Sequence, residues 1–169
     1  MVRIQFERQR DGTVVFRCIR SDGTSTWQKH AGKATIFFPF HDLTHYAVES
    51  TFRFRQGFYG LIAAGWEVAD TGGKGARGRL PDEAIVVEHI VGLLDRERVG
   101  GAPALTADEF NGILSDLAAS ERISFPPVVT EAQLAEVRAR ISELYDRLAA
   151  LQPGNSMELS FDATATEKA

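Results

Sequence analysis

Asp11-Gly12-Thr13-Val14-Val15-Phe16-Arg17-Cys18-Ile19-Arg20-Ser21-Asp22-Gly23-Thr24 is the stretch that decides the fold. An Asp-Gly-Thr triplet stands at each end of an alternating segment, and Asp-Gly between alternating apolar residues is the strongest short-range signal for a β-hairpin. To its left, Val2, Ile4 and Phe6 alternate with Arg3, Gln5 and Glu7, which puts the apolar three on one face of a first strand. Phe16 and Cys18 continue that face on the second strand, and Trp27 on the third. The result is a three-stranded antiparallel meander over about 2–8, 13–19 and 24–29. Its apolar face needs a cover. Near the other end of the chain, Met157-Glu158-Leu159-Ser160-Phe161 alternates in the same way after Pro153-Gly154 and predicts a fourth strand beside the meander.

Between these strands the apolar period is helical. The pattern predicts helices over about 40–56, 58–67, 82–98, 107–119 and 131–151. Gly57 and Gly60 separate the first two, and acids follow Pro81 in the first turn of the third. Thr106-x-x-Glu109 and Thr130-x-x-Gln133 are capping boxes that start the last two. Leu134, Val137, Ile141, Leu144, Leu148 and Leu151 recur at three and four residues, a stripe for a core or a dimer seam. The expected fold is therefore α+β, in one domain over 1–169: a small antiparallel sheet, the N-terminal meander plus a C-terminal strand, packed against four to five helices.

Composition narrows the functional classes. A chain of 169 residues can bury a sizeable core, and 44% hydrophobic with 25% charged residues is ordinary globular usage. The net charge of −4 offers no basic field for a nucleic-acid backbone. No apolar run approaches the roughly 20 residues of a membrane helix, and the opening residues carry no signal-peptide core, so a cytoplasmic protein is expected. The single cysteine, Cys18, sits in the apolar alternation as a buried thiol.

Chemistry concentrates in Phe37-Phe38-Pro39-Phe40-His41-Asp42-Leu43-Thr44-His45-Tyr46-Ala47-Val48-Glu49. His41 and His45 stand four apart, so on a helix their side chains lie one above the other and can share an ion. The surrounding residues are apolar nearly all round, which predicts a buried helix whose imidazoles and carboxylates require partners. A divalent metal, zinc first, serves all of them. Glu49 lies eight residues from His41, a rise of about 12 Å, so these two cannot bind one ion together. Either His41 and His45 chelate while Glu49 steers His45, or His45 and Glu49 chelate. Glu67, Glu88 and His89 are candidates for the remaining ligands, with Glu88 preferred because it interrupts the apolar run Ile85-Val86-Val87-Glu88-His89-Ile90-Val91. Asp42 or Glu49 would be the base. His30, after Gln28-Lys29, reads as an exposed loop residue.

His41-Asp42-x-x-His45 resembles the His-Glu-x-x-His helix of the zincins, with Asp for Glu, and the His-Asp-x-x-His of the coenzyme-Q biosynthesis zinc proteins. The likeness covers five residues. The zincin likeness implies Asp42 as general base and a distant glutamate, Glu67 by chain order, as third ligand. In the coenzyme-Q pattern the downstream glutamate falls on Gly57 here.

Arg53, Arg55, Lys74 and Arg77 are the cations placed to meet an anionic substrate. The last two lie in a Gly-rich stretch, Thr71 to Arg79, read as a mobile surface loop or a lid. Two functions follow. The first is a metal-dependent hydrolase or lyase, with zinc as the metal, acting on a small substrate. The second is a non-catalytic binding or structural module, homodimeric, in which the same cluster only organises the core.

Overall fold

Both Asp-Gly-Thr triplets fold alike. In each, the Asp Oδ1 accepts from the Thr backbone N–H and from its hydroxyl, at 3.0 and 2.7 Å for Asp11–Thr13 and 2.9 and 2.7 Å for Asp22–Thr24. The glycine between them has φ of 81° and 85°, a left-handed turn that a side chain would strain. The computed structural model describes residues 1–73, 77–101, 103–123 and 126–163. Through these turns β1 (Val2–Arg8), β2 (Val14–Arg20) and β3 (Ser25–His30) form an antiparallel meander. The strand β4 (Ser156–Phe161) pairs antiparallel with β1, giving the order β3-β2-β1-β4. The fold is α+β, with five helices packed against this sheet.

The inner face follows from register. Ile4 lies opposite both Cys18 and Leu159, and Phe6 opposite both Phe16 and Met157. All are buried, the Cys18 thiol included, and each large side chain removed from water contributes about 1.5–3 kcal/mol. The third strand departs from the sequence expectation. Trp27 pairs with Arg17 and is 58% exposed, on the outer face. Cys18 pairs with Thr26 instead, so Thr26 and His30 point inward. A one-residue difference in register exchanges the two faces of a strand. His30 is accordingly not an exposed loop residue: it ends β3, 6% exposed, with its ring stacked on Phe38 at 5.2 Å.

The helix α1 (Ala34–Phe52) is the centre of the second layer and packs against the sheet, α3 (Asp82–Gly100) and α5 (Glu131–Ala149). It begins one turn before Pro39, where the N–H groups of Ala34, Thr35 and Ile36 reach carbonyls three residues back. It also stops earlier than the apolar pattern suggested. Arg53 takes φ 60°, and the N–H of Phe54 returns to the Glu49 carbonyl at 3.0 Å, so 53–56 leave the helix. The short α2 (Phe58–Ala63) ends before Gly65, whose φ of 92° turns the chain. Both capping boxes are formed, at α4 (Ala107–Ser120) and α5. The stripe Leu134, Val137, Leu144 and Leu148 of α5 is taken up by the chain's own core. No described helix is long and apolar enough to cross a membrane.

Candidate metal centre

His41 and His45 lie on the buried part of α1, one turn apart, with ring centroids separated by 4.8 Å. A different carboxylate backs each of them. His41 Nδ1 donates to Asp95 Oδ2 at 2.7 Å, across from α3. Asp95 is itself held: the hydroxyls of Thr44 and Tyr145 donate to its Oδ1 at 3.0 and 3.3 Å, and Arg98 Nε stands 3.6 Å from the same oxygen. With Nδ1 engaged, Nε2 is the His41 nitrogen left for a ligand. In His45, Nδ1 is 3.6 Å from Glu49 Oε1 and Nε2 is 3.4 Å from Glu88 Oε1, both ion-pair distances. The Asp95 hydrogen bond fixes the His41 ring and its tautomer, the usual support of a metal-binding histidine, whereas His45 Nδ1 has no hydrogen-bond partner.

One ligand atom each from His41, His45 and Glu88 lies within 4.8 Å of the other two. Zinc bonds of about 2.0–2.1 Å require closer spacing than that limit. Glu88 can supply the movement, because its side chain is 45% exposed while that of His45 is 2% exposed. The apolar run around Glu88 therefore does not enclose it; the carboxylate stands at a rim and reaches inward.

Glu49 is built differently. It is fully buried, and its oxygens accept from the backbone N–H groups of Tyr59, at 3.0 and 3.1 Å, and Gly60, at 3.1 Å. These are orphan donors at the start of α2. Two glycines permit the approach. A Cβ on Gly57 would come within 2.5 Å of the Glu49 carboxyl carbon, and one on Gly60 within 1.9 Å of the Arg55 carbonyl oxygen. Glu83 completes this corner by accepting from the backbone N–H groups of Arg55, at 2.6 Å, and Gln56. The Glu49 oxygens are thus turned to the protein's own backbone, with Oε1 3.6 Å from His45 Nδ1, beyond a hydrogen bond.

His41, Asp42, His45 and Glu88 open onto a cavity of about 510 Å³ whose other walls include Phe38 and Phe58. Asp42 is 6% exposed, and its Oδ2 has no hydrogen-bond partner. His30 Nε2 stands 3.8 Å from it, buried and equally without a hydrogen-bond partner. Burial pushes the Asp42 carboxyl up to about 7. For His45, burial alone would lower the pKa, but hydrogen bonding and charge from Glu49 and Glu88 outweigh it and raise the imidazole to about 10. Glu88 moves the other way: burial opposes its charge, yet His45 holds the carboxyl below the usual range. Asp95 is likewise lowered, by His41 and Thr44 against the effect of burial.

The other sequence candidates lie elsewhere. Glu67 binds Arg20 at 3.2 Å and is not among the three grouped ligands. His89 is also outside that group, its Nε2 buried without a partner. Arg53 and Arg55 follow the end of α1, and Arg53 lies twelve helical residues beyond His41, about 18 Å along the axis. Neither lines the cavity. Arg77 donates to the Gly65 carbonyl at 2.9 Å and lies over the Trp66 ring. Lys74 lies outside the described residues, as do Gly75 and Ala76 of the expected loop; its described flank includes Thr71, buried and bonded to the Val68 carbonyl at 2.8 Å. Arg77 does not line the cavity either.

Sequence reasoning missed Asp95. Its signal was a second acid seven residues after Glu88 on the same helix, hence on the same face two turns away. Glu88 then meets His45 and Asp95 meets His41, as two antiparallel helices require. Thr44 and Tyr145 carried no signal of their own. In comparisons with known proteins the chain matches no family model, no curated protein and no solved structure.

Proposed function

We propose that the chain is a divalent-metal enzyme, with zinc the ion its two imidazoles and one carboxylate suit, that promotes a hydrolytic or lyase-type step on a small substrate. The observation that carries this is the grouping of His41, His45 and Glu88 on one cavity, with Asp95 hydrogen-bonded behind His41 and Glu49 3.6 Å behind His45. Three protein ligands leave a coordination position open toward the cavity, the arrangement of catalytic rather than structural zinc. Held by His41, His45 and Glu88, a zinc ion would supply an acidified water molecule. Asp42 is the base: it lines the same cavity with an unpartnered oxygen, accepts the water's proton, and returns it to the leaving group. Glu49 and Asp95 are positioning residues.

Elemental analysis of untagged purified protein tests this. About one equivalent of metal, absent from His45→Ala, supports the proposal. A folded wild-type chain that contains no metal and takes up neither added zinc nor cobalt overturns it.

One observation favours a second reading. His45 between Glu49 and Glu88 can balance their charge by protonation alone, which suits a non-catalytic binding or structural module whose cluster serves the core. The same analysis separates the two.

A further inference from the structure

The walls of the cavity carry information about what it holds. Among the described lining residues the only carboxylates are Asp42 and Glu88, and no lysine or arginine is present. The three arginines that sequence suggested for an anion are placed elsewhere. A divalent ion would be offset by these two carboxylates, leaving no net positive charge to attract an anion. Phe38 and Phe58 present aromatic rings to the same space. Phe38 is 45% exposed although one neighbour, His30, stacks on it, so much of its apolar surface remains uncovered. Phe58 packs on Phe16 at 5.9 Å and on His45 at 5.1 Å, which fixes it beside a candidate metal ligand. Val68 and Leu80 extend the apolar wall, and Gln28 and Thr71 add uncharged polar groups. An apolar wall facing a set of placed polar groups is suited to a small-molecule site.

We propose that this cavity takes a small substrate without negative charge, whose aromatic or similarly flat apolar part lies against Phe38 and Phe58 beside the group presented to His41, His45 and Glu88. This rests on the metal reading above and goes beyond it in naming the class of ligand. The unpartnered Asp42 Oδ2 adds a preference for an N–H or O–H donor on that ligand.

The test uses the cobalt-loaded full chain, whose visible spectrum reports occupancy of the open position, with three probes: imidazole, 4-phenylimidazole and benzoate. The first two are uncharged metal ligands that differ by one aromatic ring, and the third is an aromatic anion. The expected result is that 4-phenylimidazole binds about tenfold or more tightly than imidazole, the worth of burying a phenyl group, and more tightly than benzoate. The ring's advantage should fall below about threefold in Phe38→Leu and in Phe58→Leu. Phe38→Leu is the decisive variant, since Phe38 does not pack on His45 and its loss leaves cobalt uptake intact. Equal affinity for the two imidazoles in the wild type, an advantage that survives both substitutions, or benzoate as the tightest probe overturns the proposal while leaving the metal site standing. A wild-type chain that takes up no cobalt overturns the metal reading, and this proposal with it.

Discussion

Glu49 and Asp42 are buried carboxylates on one helix, seven residues apart, and their surroundings are opposite. Glu49 has backbone N–H donors from Tyr59 and Gly60 and a glycine at 57 that leaves room for it. Asp42 has an oxygen with no partner, a cavity beside it, and a histidine too distant for a hydrogen bond. The difference teaches where the fold has used its polar groups and where it has left capacity unspent. A satisfied buried carboxylate stabilises and rigidifies. An unsatisfied one costs stability and persists where something else binds or reacts.

Breaking the closed corner should have the largest effect. In Gly60→Ala the new methyl meets backbone, the Arg55 carbonyl, and no rotamer change relieves it. Glu49→Ala leaves the Tyr59 and Gly60 donors without a partner and removes one of the two carboxylates beside His45. Each is expected to cost about 3–5 kcal/mol, against about 1–3 kcal/mol for Glu49→Gln, whose amide oxygen still accepts. Urea unfolding measures all three, and a Glu49→Ala chain within 1 kcal/mol of wild type would show that the corner is not structural.

Next comes the support behind the ligands. Asp95→Asn keeps the shape but weakens the hold on His41, and zinc affinity measured by chelator competition should fall about 10–100-fold. An unchanged affinity would remove Asp95 from the site.

The open corner should respond to pH. In the metal-free chain the folded pKa of Asp42, about 7, exceeds the unfolded value of 3.8, so the folded state binds the extra proton. Its contribution to stability is fully present below the unfolded value, declines as pH rises through the window between the two, and levels off above the folded value. Asp42→Asn removes that decline. It should be more stable than wild type by about 1–2 kcal/mol at pH 8, an advantage that disappears near pH 4. Thermal melts at the two pH values decide this; equal melting temperatures at both would mean that Asp42 is not strained by burial.

The smallest effect belongs outside both corners. Trp27→Ser on the exposed face of β3 should change stability by less than about 0.5 kcal/mol, whereas a loss of several kcal/mol would mean that this face is covered.

How much could be read in advance depended on the distance over which each feature is encoded. The two hairpins are written in three adjacent residues each, Asp for the hydrogen bonds, Gly for the turn and Thr for the donors. The capping boxes are equally local. The facing of Trp27 was not legible, because two faces of one strand differ only by register, and register is set by the turn and by what Thr26 and His30 find inside. The end of α1 was hidden by an arginine in a left-handed cap where a glycine is usual. In the site, His41 and His45 were visible as a spacing and Glu88 as an acid in an apolar run. Asp95, Thr44 and Tyr145 meet only through the packing of three helices, which no local pattern records.

The pairing of β4 with β1 bears on the order in which the molecule is made. Ile4 and Leu159 are cross-strand partners although they are among the first and last described residues of the chain. At roughly 5–20 residues per second on the ribosome, β1 waits about ten seconds or more for its second neighbour. Throughout that interval the hairpin of β1 and β2 can exist, but one edge of β1 stays open to foreign strands. Arg3, Gln5 and Glu7, on the outer face beside that edge, place polar side chains there during synthesis. The β1–β4 pairing therefore waits until the helices between them have been made, and β4 works as a latch on the sheet.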